Sequence, residues 1–84
     1  MSKIDRQKIA LTIVEELRDI TPPPRISDHV GVTTIECLPG KIEITDSGVF
    51  VKTRRGVSTG WTHRDSDGPK HSAVRCSILL RSVS

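Results

Sequence analysis

The chain lacks most of the features on which large or membrane-spanning proteins depend. It has 84 residues, two aromatic side chains (Phe50 and Trp61) and no tyrosine. No apolar run approaches the ~20 residues that are needed to cross a bilayer. A chain of this size forms one small domain over residues 1–84. These shortages argue against a second domain, a membrane span and a large buried active site.

Cysteine is also scarce, since only Cys37 and Cys76 are present. Two cysteines are too few for the disulfide framework of a small secreted domain. Asp5, Arg6 and Lys8 place charges where a secretory signal would begin its apolar region. We therefore expect a cytoplasmic protein in which both thiols are buried.

The apolar residues that are present are mainly aliphatic. Ile, Leu and Val together number 22, although hydrophobic residues make up only 35% of the chain. Globular domains usually contain about 45–50% apolar residues when glycine is counted. This supply is enough for one small core, and we expect a folded domain rather than a disordered chain.

Apolar spacing predicts an N-terminal helix over residues 3–20. Pro22 and the two prolines after it end this helix, so residues 21–29 form a proline-rich connector. Ile4 and Leu11 lie off the apolar stripe and either extend the core or form a self-association seam. The residues of the stripe are Ile9, Ala10, Ile13, Val14, Leu17 and Ile20.

From residue 30 onward the apolar period becomes two, which predicts a β-meander over residues 30–83. A type II turn at Pro39 and Gly40 would place Glu36 opposite Glu43 in the first hairpin. The strands are expected at residues 30–38, 41–45, 49–54 and 72–83, with a short additional strand at 61–64.

The loop at residues 46–48 decides which side chains of the third strand are buried. A three-residue loop with Gly48 in the left-handed conformation puts Phe50 on the core face. A two-residue loop would bury Val51 instead, and would require Ser47 to adopt a positive φ. Turn chemistry therefore favours the first register.

These elements predict an α+β fold in which the N-terminal helix packs on a four- to five-stranded, mainly antiparallel β-sheet. The alternative is a small, partly open β-barrel with an appended helix.

Catalytic and metal-binding patterns are weak in this chain. Residues 56–60 match the G-x-S-x-G pattern, but no helical pattern follows them to form a nucleophile elbow. The cysteines and histidines form no close pair of the kind that structural zinc sites use. We expect no catalytic residue, no metal ion and no cofactor, and hence a protein that is not an enzyme.

Basic residues are concentrated in the second half of the chain. Residues 1–48 carry six basic and eight acidic side chains, whereas residues 49–84 carry seven basic and two acidic ones. This asymmetry points to a polyanionic or acidic partner, and arginines beside an aromatic ring can hold phosphates and stack a base. The candidate binding residues are Lys52, Arg54, Arg55, Trp61, Arg64, Lys70, Arg75 and Arg81.

We predict a small non-catalytic binding protein whose basic C-terminal half contacts nucleic acid. The alternative is a protein–protein interaction, inhibitor or oligomerisation module that binds an acidic protein surface, with a homodimer formed through Ile4 and Leu11. In either case Trp61 has two alternative roles, one in the binding surface and one as an anchor of the core, which is common for a lone tryptophan. Neither hypothesis involves a membrane.

Overall fold

Two helices and five strands make up the fold in the computed structural model, which describes residues 5–82. Within these residues neither helix has the length and apolar character that a membrane crossing requires. The elements are α1 (Arg6–Glu16), β1 (Arg25–His29), β2 (Val32–Cys37), β3 (Gly40–Ile44), β4 (Gly48–Thr53), β5 (Ser58–Thr62), a 3-10 turn (His63–Asp65) and α2 (Pro69–Arg81).

Helix α1 is shorter than the sequence predicts. It begins after Asp5, whose carboxylate accepts a hydrogen bond of 3.1 Å from the Lys8 amide, and it ends at Glu16. An N-cap of this kind satisfies one of the amides that a helix start leaves without an internal partner. The predicted apolar stripe is confirmed, because the residues that α1 and its C-cap bury are Ile9, Ala10, Ile13 and Leu17.

The sheet is open, antiparallel and ordered β1-β2-β3-β4-β5, which confirms the α+β prediction with a helix on the sheet. β1 and β5 are its two ends, so the strands do not close into the alternative barrel. Residues 25–29, predicted as part of the connector, form strand β1. All five of its side chains are exposed, so the strand lacks the apolar alternation by which it could have been recognised.

The β2–β3 hairpin has a different register from the predicted one. Glu36 lies opposite Lys41, not Glu43, because the loop consists of Leu38 and Pro39. A shift of two residues leaves every side chain on its predicted face. It also replaces the contact between two glutamates with one between opposite charges.

The predicted burial of Phe50 is wrong. Phe50 lies opposite Glu43 with 47% of its surface exposed, and its neighbours Val49 and Val51 are buried instead. The reason is a longer turn, in which the Thr45 hydroxyl accepts hydrogen bonds from the amides of residues 47 and 48. Because side chains alternate along a strand, the extra residue moves Phe50 to the opposite face.

The predicted last strand, residues 72–83, is also wrong, because Pro69–Arg81 is a helix. Its first residue is a proline, which is favoured at the first helical position. The period-two apolar run misleads because Val74 and Ile78 are 39% and 63% exposed, respectively. The residues that α2 buries follow a helical spacing and include two serines: Ser72, Ala73, Cys76, Ser77 and Leu80.

The core lies between one face of the sheet and the two helices. Trp61 is part of it, with 6% of its surface exposed and its indole Nε1 donating a 3.1 Å hydrogen bond to Ser72 Oγ. This bond ties β5 to α2 and satisfies the only polar atom of the indole. Cys76 is buried as expected, whereas Cys37 is only half-buried.

We predict that Val30→Asn stabilises the protein by about 1 kcal/mol, because Val30 holds a backbone conformation that β-branched residues disfavour. Val30 and Gly31 form the β1–β2 turn with φ angles of 48° and 77°. Both values are positive, which is the type I′ geometry that Asn-Gly prefers. Urea denaturation measures the gain, and Val30→Thr, which keeps the branched side chain, serves as the matched control. Equal stability of Val30→Asn and Val30→Thr would contradict the assignment of strain to this turn.

Burial of Cys76 makes stability depend on pH above the neutral range. Burial raises the pKa of the Cys76 thiol from 9.0 to about 12. As the pH rises through this window the unfolded chain loses the proton first, so stability present below about pH 9 declines between about pH 9 and pH 12. Between pH 8 and pH 10 we expect the wild type to lose about 1.4 kcal/mol more than Cys76→Ala in urea denaturation. Parallel losses in the two proteins would show that this thiol does not contribute.

Candidate functional site

The structure disperses the residues that the sequence analysis grouped as one binding site. The physical reason is that α2 is a helix, so its basic residues leave the sheet on which they were expected. Lys70, Arg75 and Arg81 lie on α2, Lys52 on β4, Arg54 and Arg55 in the β4–β5 turn, Arg64 in the 3-10 turn and Trp61 in the core.

Two of these cations hold the helices together. Lys70 forms an ion pair with Glu16 of α1. Arg81 donates to both carboxylate oxygens of Asp19, at 2.6 and 3.1 Å, and to the Glu16 carbonyl at 3.1 Å. These hydrogen bonds from Arg81 lower the pKa of the Asp19 carboxyl below its ordinary value. Lys70 and Arg81 therefore already have anionic partners within the fold.

Trp61 is not available to a base. Its ring is buried against α2, and the Arg75 guanidinium covers it at 4.5 Å from the ring centroid. A guanidinium over an indole is a favourable cation–π arrangement. Trp61 and one of the basic residues, Arg75, are therefore in contact, and this contact covers one side of the core.

The surface opposite the helices, which we name the open face, carries charged and polar side chains from all five strands. It is defined by two rows of cross-strand neighbours, because paired residues point to the same side of a sheet. One row is Arg25, Glu36, Lys41, Lys52 and Ser58, and the other is Ser27, Thr34, Glu43, Phe50 and Gly60.

Lys41 and Lys52 face each other across β3 and β4. Directly opposed side chains have Cβ atoms about 5 Å apart, and like charges at this separation are destabilising. Glu36 lies on the other side of Lys41, yet within residues 5–82 neither lysine forms an ion pair. The two ammonium groups are therefore neighbours on the open face, and neither is held in an ion pair among the described residues.

Phe50 lies next to this lysine pair on the open face. It precedes Lys52 by two residues, which places the two side chains on the same side about 7 Å apart along the strand. Gly60 is its cross-strand neighbour, and a Cβ built on Gly60 would come within 2.6 Å of the Phe50 ring. The ring therefore lies across Gly60, while nearly half of its surface remains exposed. Phe50 is not among the sequence-based candidates because the predicted register buries it.

The net charge of the open face is modest. Arg25, Lys41 and Lys52 are accompanied by two carboxylates, Glu36 and Glu43. Further basic charge adjoins it in the β4–β5 turn at residues 54–55, where the Arg54 amide donates a 2.9 Å hydrogen bond to the Pro39 carbonyl. This bond holds the turn beside the loop that precedes Lys41. Basic residues are thus concentrated at one end of the open face.

The self-association seam falls partly outside the described residues. Ile4 is not among them, whereas Leu11 lies on α1 with 53% of its surface exposed. Within residues 5–82 no three His, Cys, Asp or Glu side chains are placed to hold a metal ion.

We expect the Lys41–Lys52 pair to reduce stability. Replacing Lys52 with Gln should raise the free energy of unfolding by about 0.5 kcal/mol at low salt, and the gain should shrink at 1 M salt. Urea denaturation of Lys41→Gln, Lys52→Gln and the double variant forms a double-mutant cycle. If Lys52→Gln produces the same change when Lys41 is already replaced, the two charges do not interact.

Comparison with known proteins does not place the chain in a family: no protein-family model, curated protein or solved structure matches it. The surfaces described above are therefore the basis for a functional assignment.

Proposed function

We propose that this protein is a non-catalytic binding protein that holds single-stranded nucleic acid on the open face of its sheet. Phe50 stacks on a base, and Lys41 and Lys52 contact phosphates. The observation that supports the proposal is an exposed aromatic ring beside two opposed lysines on an open sheet. The proposal retains Lys52, Arg54 and Arg55 from the sequence-based candidates and adds Phe50 and Lys41, which those candidates did not include.

A single strand suits this surface better than a duplex. Unpaired bases expose their flat faces, and stacking one on an aromatic side chain contributes about 1–3 kcal/mol. A duplex hides those faces and is usually read by an element that enters a groove. The open face instead presents a ring and ammonium groups on a surface of short side chains such as Ser27, Thr34 and Ser58.

The basic end of the open face indicates the path of the bound strand across the sheet. From Lys52 the chain runs through the end of β4 into the turn that carries Arg54 and Arg55. Guanidinium groups suit phosphates because they donate in pairs. We infer that the backbone of the ligand passes from the lysine pair towards these arginines, whose side chains are exposed.

The proposed compartment is the cytoplasm. Both cysteines are unpaired, which fits a reducing environment better than an oxidising one.

The binding proposal predicts that substitutions on the open face weaken binding in two distinguishable ways. Phe50→Ala should cost about 1–3 kcal/mol, roughly 5- to 150-fold in Kd, through lost stacking. Lys41→Gln and Lys52→Gln should each reduce the slope of log K against log salt by about 0.7. Fluorescence anisotropy of labelled 12-nucleotide DNA and RNA, with a 12-base-pair duplex for comparison, measures both effects.

Arg18→Gln supplies the matched control for charge. Arg18 is an exposed arginine just after α1 that pairs with Glu15, and it belongs to none of the strands that form the open face. It should leave binding nearly unchanged although it removes one positive charge, as the lysine substitutions do. No binding at low salt, or equal losses in Arg18→Gln and Lys52→Gln, would overturn the proposal.

A further inference from the structure

We propose that the free edge of β5, together with the adjoining surface of α2, binds an extended acidic peptide of another protein as a sixth strand. This site does not depend on the nucleic-acid proposal. It lies at the end of the sheet and on the helix-covered side, whereas the open face lies on the opposite side.

The backbone of β5 is available for strand pairing. β5 is the last strand of the sheet. The backbone N–H and C=O groups of its odd-numbered residues point towards β4. Two bonds that flank the strand show this, because the Thr53 amide donates to the Val57 carbonyl and the His63 amide donates to the Ser47 carbonyl. In an antiparallel ladder the alternate residues direct their N–H and C=O groups the other way. The backbone N–H and C=O groups of Ser58, Gly60 and Thr62 therefore point outward, away from β4.

A groove beside this edge offers a place for side chains. It has a volume of about 210 Å³ and is lined by Thr59, Trp61, Arg75, Ile78 and Leu79. Ile78 is 63% exposed and Val74, one helical turn earlier, is 39% exposed. An edge strand next to a helix with apolar side chains is the arrangement by which strand-adding domains combine backbone pairing with side-chain selection.

The charges around the groove favour an acidic partner. Arg75 lies in the groove itself, Arg54 and Arg55 precede β5, and Arg64 follows it. Asp65 is the nearest acidic residue along the chain, and it accepts a hydrogen bond from the Thr62 hydroxyl. An approaching strand therefore meets positive charge before β5 and in the groove, whereas Arg64 after β5 is accompanied by Asp65 and Asp67.

A second copy of the chain is a poorer occupant than an acidic peptide. Strand β5 carries no acidic side chain, so the β5 of another copy would bring no carboxylate to Arg75. A peptide whose groove-facing side chains are apolar and acidic in turn places carboxylates near Arg75 and apolar side chains against Ile78 and Leu79.

The probe is the end-capped eight-residue peptide Thr-Val-Thr-Glu-Thr-Val-Thr-Glu, in which Val and Glu share one face of the strand, and its control carries Lys in place of Glu. Trp61, the only tryptophan, reports binding through its fluorescence because it lines the groove. We expect the Glu peptide to change the emission and to bind at least tenfold more tightly than the Lys peptide. Arg75→Glu should reverse this preference, which loss of folding would not do.

Backbone pairing is tested by Thr62→Pro against Thr62→Val. Thr62 has a φ of −83°, which proline tolerates, and its amide points away from β4. Thr62→Pro should weaken binding of the Glu peptide at least fivefold, whereas Thr62→Val, which loses only the hydroxyl, should not. A Glu peptide N-methylated at alternate residues tests the same contact on the unaltered protein, and one of the two methylation registers should lose binding.

Three results would overturn the proposal. The first is equal binding of the Glu and Lys peptides, or no binding of either. The second is a dimer in sedimentation that Thr62→Pro dissociates, which would make a second copy the occupant. The third is displacement of the Glu peptide by oligonucleotide with loss of both in Arg75→Glu, which would make the groove a nucleic-acid site. Lys52→Gln should weaken oligonucleotide binding and leave peptide binding within about twofold, so the two proposals can fail separately.

Discussion

One-sided burial of a small aliphatic core is the constraint on which the rest of this structure depends. The chain has enough apolar side chains for a single layer, formed by α1 and α2 against one face of the sheet. Burial of apolar surface is the main favourable term in folding, so both helices must lie on that one face. The opposite face is consequently left uncovered, and a sheet face in contact with water carries polar residues.

The arrangement of the helices also determines where the positive charge becomes available. Acidic residues of α1 and of the segment after it engage Lys70 and Arg81, so these cations join α2 to the N-terminal half of the fold. Arg75 covers the indole of Trp61 at the edge of the sheet. Basic residues on the open face and in the β4–β5 turn have no such carboxylate contacts among the described residues. The basic half of the chain thus supplies charge both to the open face and to the surface beside β5, and the β4–β5 turn lies next to both.

Elements with one-sided apolar patterns were predictable, and those without them were not. The stripe of α1 and the alternation of β2 and β3 follow directly from burial on one side. Helix α2 inverts the usual pattern, because it buries Ser72 and Ser77 while exposing Val74 and Ile78, and a period of two then fits the apolar residues as well as a helix does. Lys52 was predicted as a binding residue from the excess of basic residues in the second half of the chain. The exposure of Phe50 depended on the length of one turn, which a hydroxyl hydrogen bond determines and which composition does not reveal.

The central claim is that the open face, and not helix α2, binds nucleic acid. The most direct test is to follow the backbone amide signals of the ¹⁵N-labelled protein in heteronuclear NMR spectra during titration with a 12-nucleotide single-stranded RNA. The account predicts that the largest shifts fall on β3 and β4 around Lys41, Phe50 and Lys52. Shifts confined to α2, or no shifts at low salt, would contradict it.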